Sequence, residues 1–289
     1  MFCYLVLLFW QTLASPQQTG LPLPDTATFV QEIRKKLRSD RVLLSQYTYS
    51  EKVTVHQLDK SNRVTKTMVR VLEIYPSYEE DLTYRRLVSK DGRPLSPQEL
   101  EKQDREYTKK IAARQRKLER EGTDEKARRL AKESEEKRKE DEIIDEVFRL
   151  YEGTLLGRTI MDGQPAIELT FQPRPGYRAK TREARMLSKL RGRAWFSEND
   201  HEMIRIEADL IDDISLGMGL VAKLNRGARM TFQRRRVNNE IWLPARVHFS
   251  GTGRLLLFKG LRIDTLSEYS DYRKFTVETS VTFSTREKR

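Results

Sequence analysis

The chain has 289 residues, 37% apolar and 34% charged, with a formal net charge of +12. That length holds one large domain or two small ones, and the shortage of apolar residues is concentrated in one charged stretch. The single cysteine, Cys3, excludes an internal disulfide framework, so burial alone must hold the fold.

Met1–Leu13 is an apolar run shorter than the roughly 20 residues that span a bilayer. Thr12-Leu13-Ala14 sets small residues before a cleavage point after Ala14. Residues 1–14 therefore read as a secretory signal peptide, although no Lys or Arg precedes the apolar run; a buried N-terminal strand is the alternative. Ser15–Pro24 is a polar linker. Asp25 can cap a helix reaching Ser39, with Phe29, Val30, Ile33 and Leu37 on one face and Arg34, Lys35, Lys36 and Arg38 on the other. Its apolar face fits a sheet; a membrane surface is the alternative.

Strand-like runs follow at Gln46–Leu58, Val64–Tyr75 and Leu82–Val88, with a hairpin turn at Asp59–Asn62 and another turn at Asp91-Gly92. Ser96-Pro97-Gln98-Glu99 is a helix start with capping box and proline at the first position. The spacing predicts a helix to Glu121, a stop at Gly122, and a second helix capped by Thr123. Lys132–Glu142 is almost entirely charged, and Glu125–Arg129, Glu133–Lys137 and Glu135–Lys139 are expected i,i+4 pairs. The apolar seam thickens only at Ile143, Ile144, Val147, Phe148 and Leu150. Residues 96–150 thus read as a protruding helical insertion whose last turns dock on the sheet; a partly disordered tract is the alternative.

Strands resume at Thr154–Met161 and Ala166–Gln172 around Asp162-Gly163, and Glu183–Leu190 reads as a short helix. Gly192–Leu210 organises the chain: a strand, the turn Ser197–Asp200, then Ile204, Ile206, Ala208 and Leu210 alternating with Arg205, Glu207 and Asp209. Asn199 and Asp200 are the expected left-handed turn residues, and His201 is expected in solvent. After a joint at Gly217–Leu220 come strands at Ala228–Val237, Glu240–Ser250, Arg254–Thr265 and Lys274–Thr285, with turns at Asn238-Asn239 and Gly251–Gly253. About ten strands without βαβ spacing predict an antiparallel sheet that curls toward a barrel.

Catalytic chemistry is not visible. His56, His201 and His248 lie far apart, no serine elbow or phosphate loop occurs, and Asp212-Asp213 reads as a solvated turn. No enzyme activity, metal or cofactor is expected. The positive runs Lys109–Lys117 and Arg234–Arg236 lack a nucleic-acid module. Solvated surface or contact with anionic lipid headgroups are the readings left open for them.

The amphipathic helix, the YTYSEKV strand at Tyr47–Val53, the run G-R-A-W-F-S-x5-M-I-R-I-E at Gly192–Glu207 and the later Leu243-Pro244 resemble the LolA-type periplasmic lipoprotein-sorting carriers. The resemblance covers most of Asp25–Phe283, and the insertion at 96–150 departs from it. It implies an α+β fold over residues 25–289: a strongly curved antiparallel sheet, an incomplete barrel, covered by the N-terminal helix. It also implies a Gram-negative periplasmic protein that holds acyl chains of lipoprotein or phospholipid in a hydrophobic cavity and touches membranes transiently. From the strand patterns, Ile204, Ile206, Met230, Phe232, Val247, Phe249, Leu255, Leu257 and Val277 are the expected cavity lining; ordinary core is the alternative for each. A second functional reading is an envelope sensor or scaffold that binds a protein partner through the charged helices.

Overall fold

The computed structural model describes residues 22–36, 44–77, 80–216, 221–255 and 259–275. The signal peptide, the Gly217–Leu220 joint and all of the last expected strand beyond Phe275 lie outside the described residues. Asp25 caps α1 (Thr26–Lys36) by accepting from the Thr28 N–H at 2.8 Å.

Four strands follow, β1 (Tyr47–Leu58), β2 (Val64–Tyr75), β3 (Tyr84–Lys90) and β4 (Arg93–Pro94), then the helices α2 (Pro97–Glu119) and α3 (Thr123–Leu150). Next come β5 (Tyr151–Met161), β6 (Gln164–Pro173), α4 (Arg182–Leu187), β7 (Leu190–Ser197) and β8 (Met203–Leu210). Short strands β9 (Ile214–Leu216) and β10 (Ala222–Leu224) precede β11 (Arg229–Val237), β12 (Ile241–Leu255) and β13 (Lys259–Lys274).

The strands form one antiparallel sheet in the order β4-β3-β2-β1-β13-β12-β11-β8-β7-β6-β5, with β10 paired to β12 and β9. The path starts at β4 and ends at β5 without closing, so the sheet is an open, incomplete barrel in an α+β fold. The described residues hold thirteen strands rather than ten; β4, β9 and β10 are too short to carry an alternating pattern.

The two-residue turns follow their sequence. Asp91-Gly92, Asp162-Gly163 and Asn238-Asn239 all have positive φ at both positions, which matches the twist of the strands they join. Two turn expectations are corrected. In the β7–β8 turn the left-handed residue is His201 at φ 59, not Asn199 or Asp200. His201 is also half-buried, its ring 5.3 Å from that of Phe29. Gly251–Gly253 is not a turn but part of β12 near its end, paired with Leu261–Ile263, so the expected strand Arg254–Thr265 is divided between the end of β12 and the start of β13. A Cβ on Gly253 would stand 2.3 Å from the Lys223 carbonyl oxygen, so glycine is needed where β10 passes close.

The insertion is pinned at both ends. Ser96 and Glu99 form the expected capping box on α2. The N-cap of α3 is Gly122, with no side-chain bond, so Thr123 is not the cap. Glu135 pairs with Lys139 at 2.7 Å as expected. Arg129, however, engages Glu121 and Glu133 rather than Glu125, because its fork reaches back across the corner between the helices. At the far end Leu150 is fully buried, Phe148 packs on the core, and buried Glu146 accepts from the Lys180 N–H and the Thr181 hydroxyl. The near end also docks, which the sequence did not suggest. The Gln103 side-chain amide accepts from the Leu87 N–H at 2.9 Å and donates to the Leu87 carbonyl at 3.0 Å, as a neighbouring strand would.

Candidate functional site

Residues directly opposite in antiparallel pairs share a face, so the register defines two surfaces. One transverse row runs Leu155–Leu169–Ala194–Ile206–Phe232–Val247–Ser267–Val53, from β5 to β1. The next row on that face runs Gly153–Phe171–Gly192–Ala208–Met230–Phe249–Thr265–Val55. The opposite face carries Glu168–Trp195–Arg205–Gln233–Arg246–Glu268–Lys52. One side is therefore apolar from β5 to β12 and again at β1, interrupted by Ser267 and Thr265 on β13, and the other is mostly charged.

The helix α1 covers one end of the apolar face. Phe29 and Ile33 pack into a buried cluster with Leu155, Ile167, Leu169, Ala194 and Phe196, and Ile206 and Met203 lie against it. Among the described residues, that cluster does not extend to Phe232, Val247 or Phe249, which continue the same rows and are half-buried, nor to Met230, which is 37% exposed.

The nine expected lining residues do not all gather. Ile206, Met230, Phe232, Val247 and Phe249 fall on the two apolar rows. Ile204 does not join Ile206: a bulge between Trp195–Arg205 and Phe196–Met203 inserts Ile204 as the extra residue. It is fully buried in a second cluster with Ala166 and Trp242. Leu255 ends β12 opposite Ala222 and Lys259, and Leu257 and Val277 lie outside the described residues.

A depression of about 870 Å³ lies across β5 to β11, and it is not the expected apolar cavity. Met230 is the only one of the nine among its lining, which is otherwise dominated by residues such as Glu152, Thr154, Arg191, Arg193, Glu207, Asp209, Arg229 and Thr231. Its charges largely neutralise one another. Arg193 reaches Glu168 and Glu207 at 3.2 and 3.3 Å, and Arg229 reaches Asp209 at 3.2 Å. Arg193 and Arg205 both stack on Trp195, at 5.3 and 5.5 Å.

Arg234, read from sequence as part of a surface run, is instead buried. It donates to Glu202 at 3.0 Å and to the Trp242 carbonyl at 2.7 Å, while the Trp242 indole donates to Asp200 at 3.0 Å. These bonds tie the β7–β8 turn to β11 and β12. The sequence signal for them was an arginine in even spacing with Met230 and Phe232. Among the described residues no three His, Cys, Asp or Glu side chains gather as a metal site.

No family model and no curated protein matches the chain. The fold is similar to a putative outer membrane lipoprotein-sorting protein domain from Vibrio parahaemolyticus, at 12% identity over 87% of this chain and 93% of that one, with a TM-score of 0.34. It is also similar to a DUF1329 family protein from Desulfovibrio piger, at 16% identity over 88% and 94%, with a TM-score of 0.28. A third similar structure is a MucA/MucB complex from Pseudomonas aeruginosa, at 10% identity over 87% and 99%, with a TM-score of 0.22.

Proposed function

We propose that this is an exported, periplasmic protein that binds acyl chains on the apolar face of its open sheet, as a carrier of lipid or lipoprotein. The observation that carries this reading is the mismatch between that face and its cover. The apolar rows run on through Phe232, Val247 and Phe249, whereas the buried cluster under α1 is built on β5 to β7. An acyl chain laid along the rows would leave water at about 0.8 kcal/mol per buried CH₂. No polar recognition is required, and the role needs no catalytic group. A fluorescent fatty-acid probe tests it: the full chain should bind the probe, and Phe232→Asp with Val247→Asp should abolish binding. Failure of the unaltered protein to bind would reject the reading.

The second reading, a partner-binding scaffold, is favoured by the ion pairs of Lys132, Arg138 and Lys139, which all close within α3 and leave its midsection exposed. Replacing residues 123–141 by a short flexible link should remove a protein partner while sparing probe binding if that reading holds.

A further inference from the structure

The distal half of α2 is the most one-sided charge in the helical arm. Between Lys109 and Arg120 stand six bases (Lys109, Lys110, Arg114, Arg116, Lys117, Arg120) and one acid, Glu119. Docking fixes how this half-helix is turned. Gln103 is bonded to Leu87, the Tyr107 hydroxyl donates to the Leu82 carbonyl at 3.0 Å, and Lys110 donates to the Asp81 carbonyl. These three side chains mark the sheet-facing side. At about 100° per residue, Lys109 lies about 200° round from Tyr107. Arg116 and Arg120 follow Lys109 at i+7 and i+11, on the side turned away from β3, and all three are exposed; Lys117, seven residues beyond Lys110, lies toward the sheet-facing side. Ala113, at i+4, leaves the centre of this face low.

We infer that Lys109, Arg116 and Arg120 form a docking surface for the anionic headgroups of a phospholipid layer. The face is about 18 Å long, rigidly oriented, and free of the aromatic side chains on which single-stranded bases stack. Phosphate headgroups need only cations presented along a line. The inference rests on the acyl-chain reading above: a carrier that takes up acyl chains must reach a lipid layer, and this face of α2 would hold the protein to one.

Vesicle flotation with the full chain tests it, using phosphatidylglycerol-containing and pure phosphatidylcholine vesicles at low and high salt. Association with the anionic vesicles alone, lost at high salt, is expected. Arg116→Glu with Arg120→Glu should weaken it by about tenfold or more, while the charge-matched Lys60→Glu with Lys66→Glu, on the exposed β1–β2 hairpin, should leave it within about twofold. Equal weakening by both pairs would mean net charge alone acts, and would overturn the inference. So would indifference to phosphatidylglycerol, or an Arg116/Arg120 variant that keeps vesicle binding and loses an oligonucleotide instead. Acyl-lipid content of the same preparations, read by mass spectrometry, separates the two claims. Lipid-loaded protein that ignores vesicles defeats the patch alone; lipid-free protein whose vesicle binding depends on Arg116 and Arg120 supports the patch without the carrier.

Discussion

Arg86 on β3 holds Asp104 on α2 through two hydrogen bonds of 2.9 Å each, from Nε and from a terminal nitrogen. This fork is the centre of the joint between sheet and helical arm. The Tyr84 hydroxyl donates to the same carboxylate at 2.6 Å, and the Tyr84 and Tyr107 rings stack with centroids 4.2 Å apart. Asp104→Ala takes a carboxylate from the Arg86 guanidinium, only 11% exposed, which keeps its contact with Glu73 at 3.2 Å. The expected loss is about 2 kcal/mol, below the figure for a fully buried pair because water reaches part of this one. Urea denaturation measures it, and hydrogen exchange over Pro97–Lys110 should accelerate selectively.

The tyrosines set an alkaline limit. Burial, reinforced by the Glu73 carboxylate, pushes Tyr75 up to about 12; burial and then Glu51 push Tyr269 up to about 12. Both are raised above the unfolded value near 10. Their contribution to stability is therefore complete below about pH 10 and is lost as the pH climbs toward 12. Absorbance titration at alkaline pH should show a late-ionising set of phenols. Tyr75→Phe and Tyr269→Phe should each flatten the fall in stability over that interval.

Gly192 sits in the middle of the second apolar row, where a Cβ would lie 1.8 Å from the Glu207 carbonyl oxygen and 2.9 Å from the Phe171 ring. Backbone is the nearer obstacle, so the strand pair must part to admit a methyl group. Gly192→Ala is expected to cost about 3 kcal/mol or more, read as a fall in melting temperature. Gly157, with open space around its Cβ position, is the control and should tolerate alanine.

Phe29 joins α1 to the sheet through an edge-on contact with Phe196, centroids 6.4 Å apart, and packing on His201. Phe29→Ala removes a buried ring at a cost of about 3–5 kcal/mol. Thermal denaturation should show the loss, and limited proteolysis should cut first near α1.

Strand placement was legible as far as the Asn238-Asn239 hairpin, because hairpin chemistry is local. Asn238-Asn239 and Asp162-Gly163 announce their turns by residue type, and Val247 and Phe249 alternating with Arg246 and His248 mark the apolar side beyond the bulge at Ala245. The joint at Arg86–Asp104 was not legible. Gln103, Asp104 and Tyr107 have the composition of a solvated helix face, and only the Leu87 backbone, the Arg86 guanidinium and the Leu82 carbonyl give them a purpose. The bulge at Ile204 was invisible for a related reason. Even spacing assigns Ile204 and Ile206 to one face, but one extra residue in β8 reverses the assignment without altering the pattern. Arg234 shows the converse, since the first of three consecutive arginines reads as surface until Glu202 and the Trp242 carbonyl are brought to it.

The central claim is that the apolar face beyond α1 holds acyl chains. Lipid extraction and mass spectrometry on protein purified from the cell envelope without detergent test it most directly. Stoichiometric phospholipid, or a co-purified acylated protein, is the expected result. A lipid-free protein would contradict the claim and leave Phe232, Val247 and Phe249 as ordinary core.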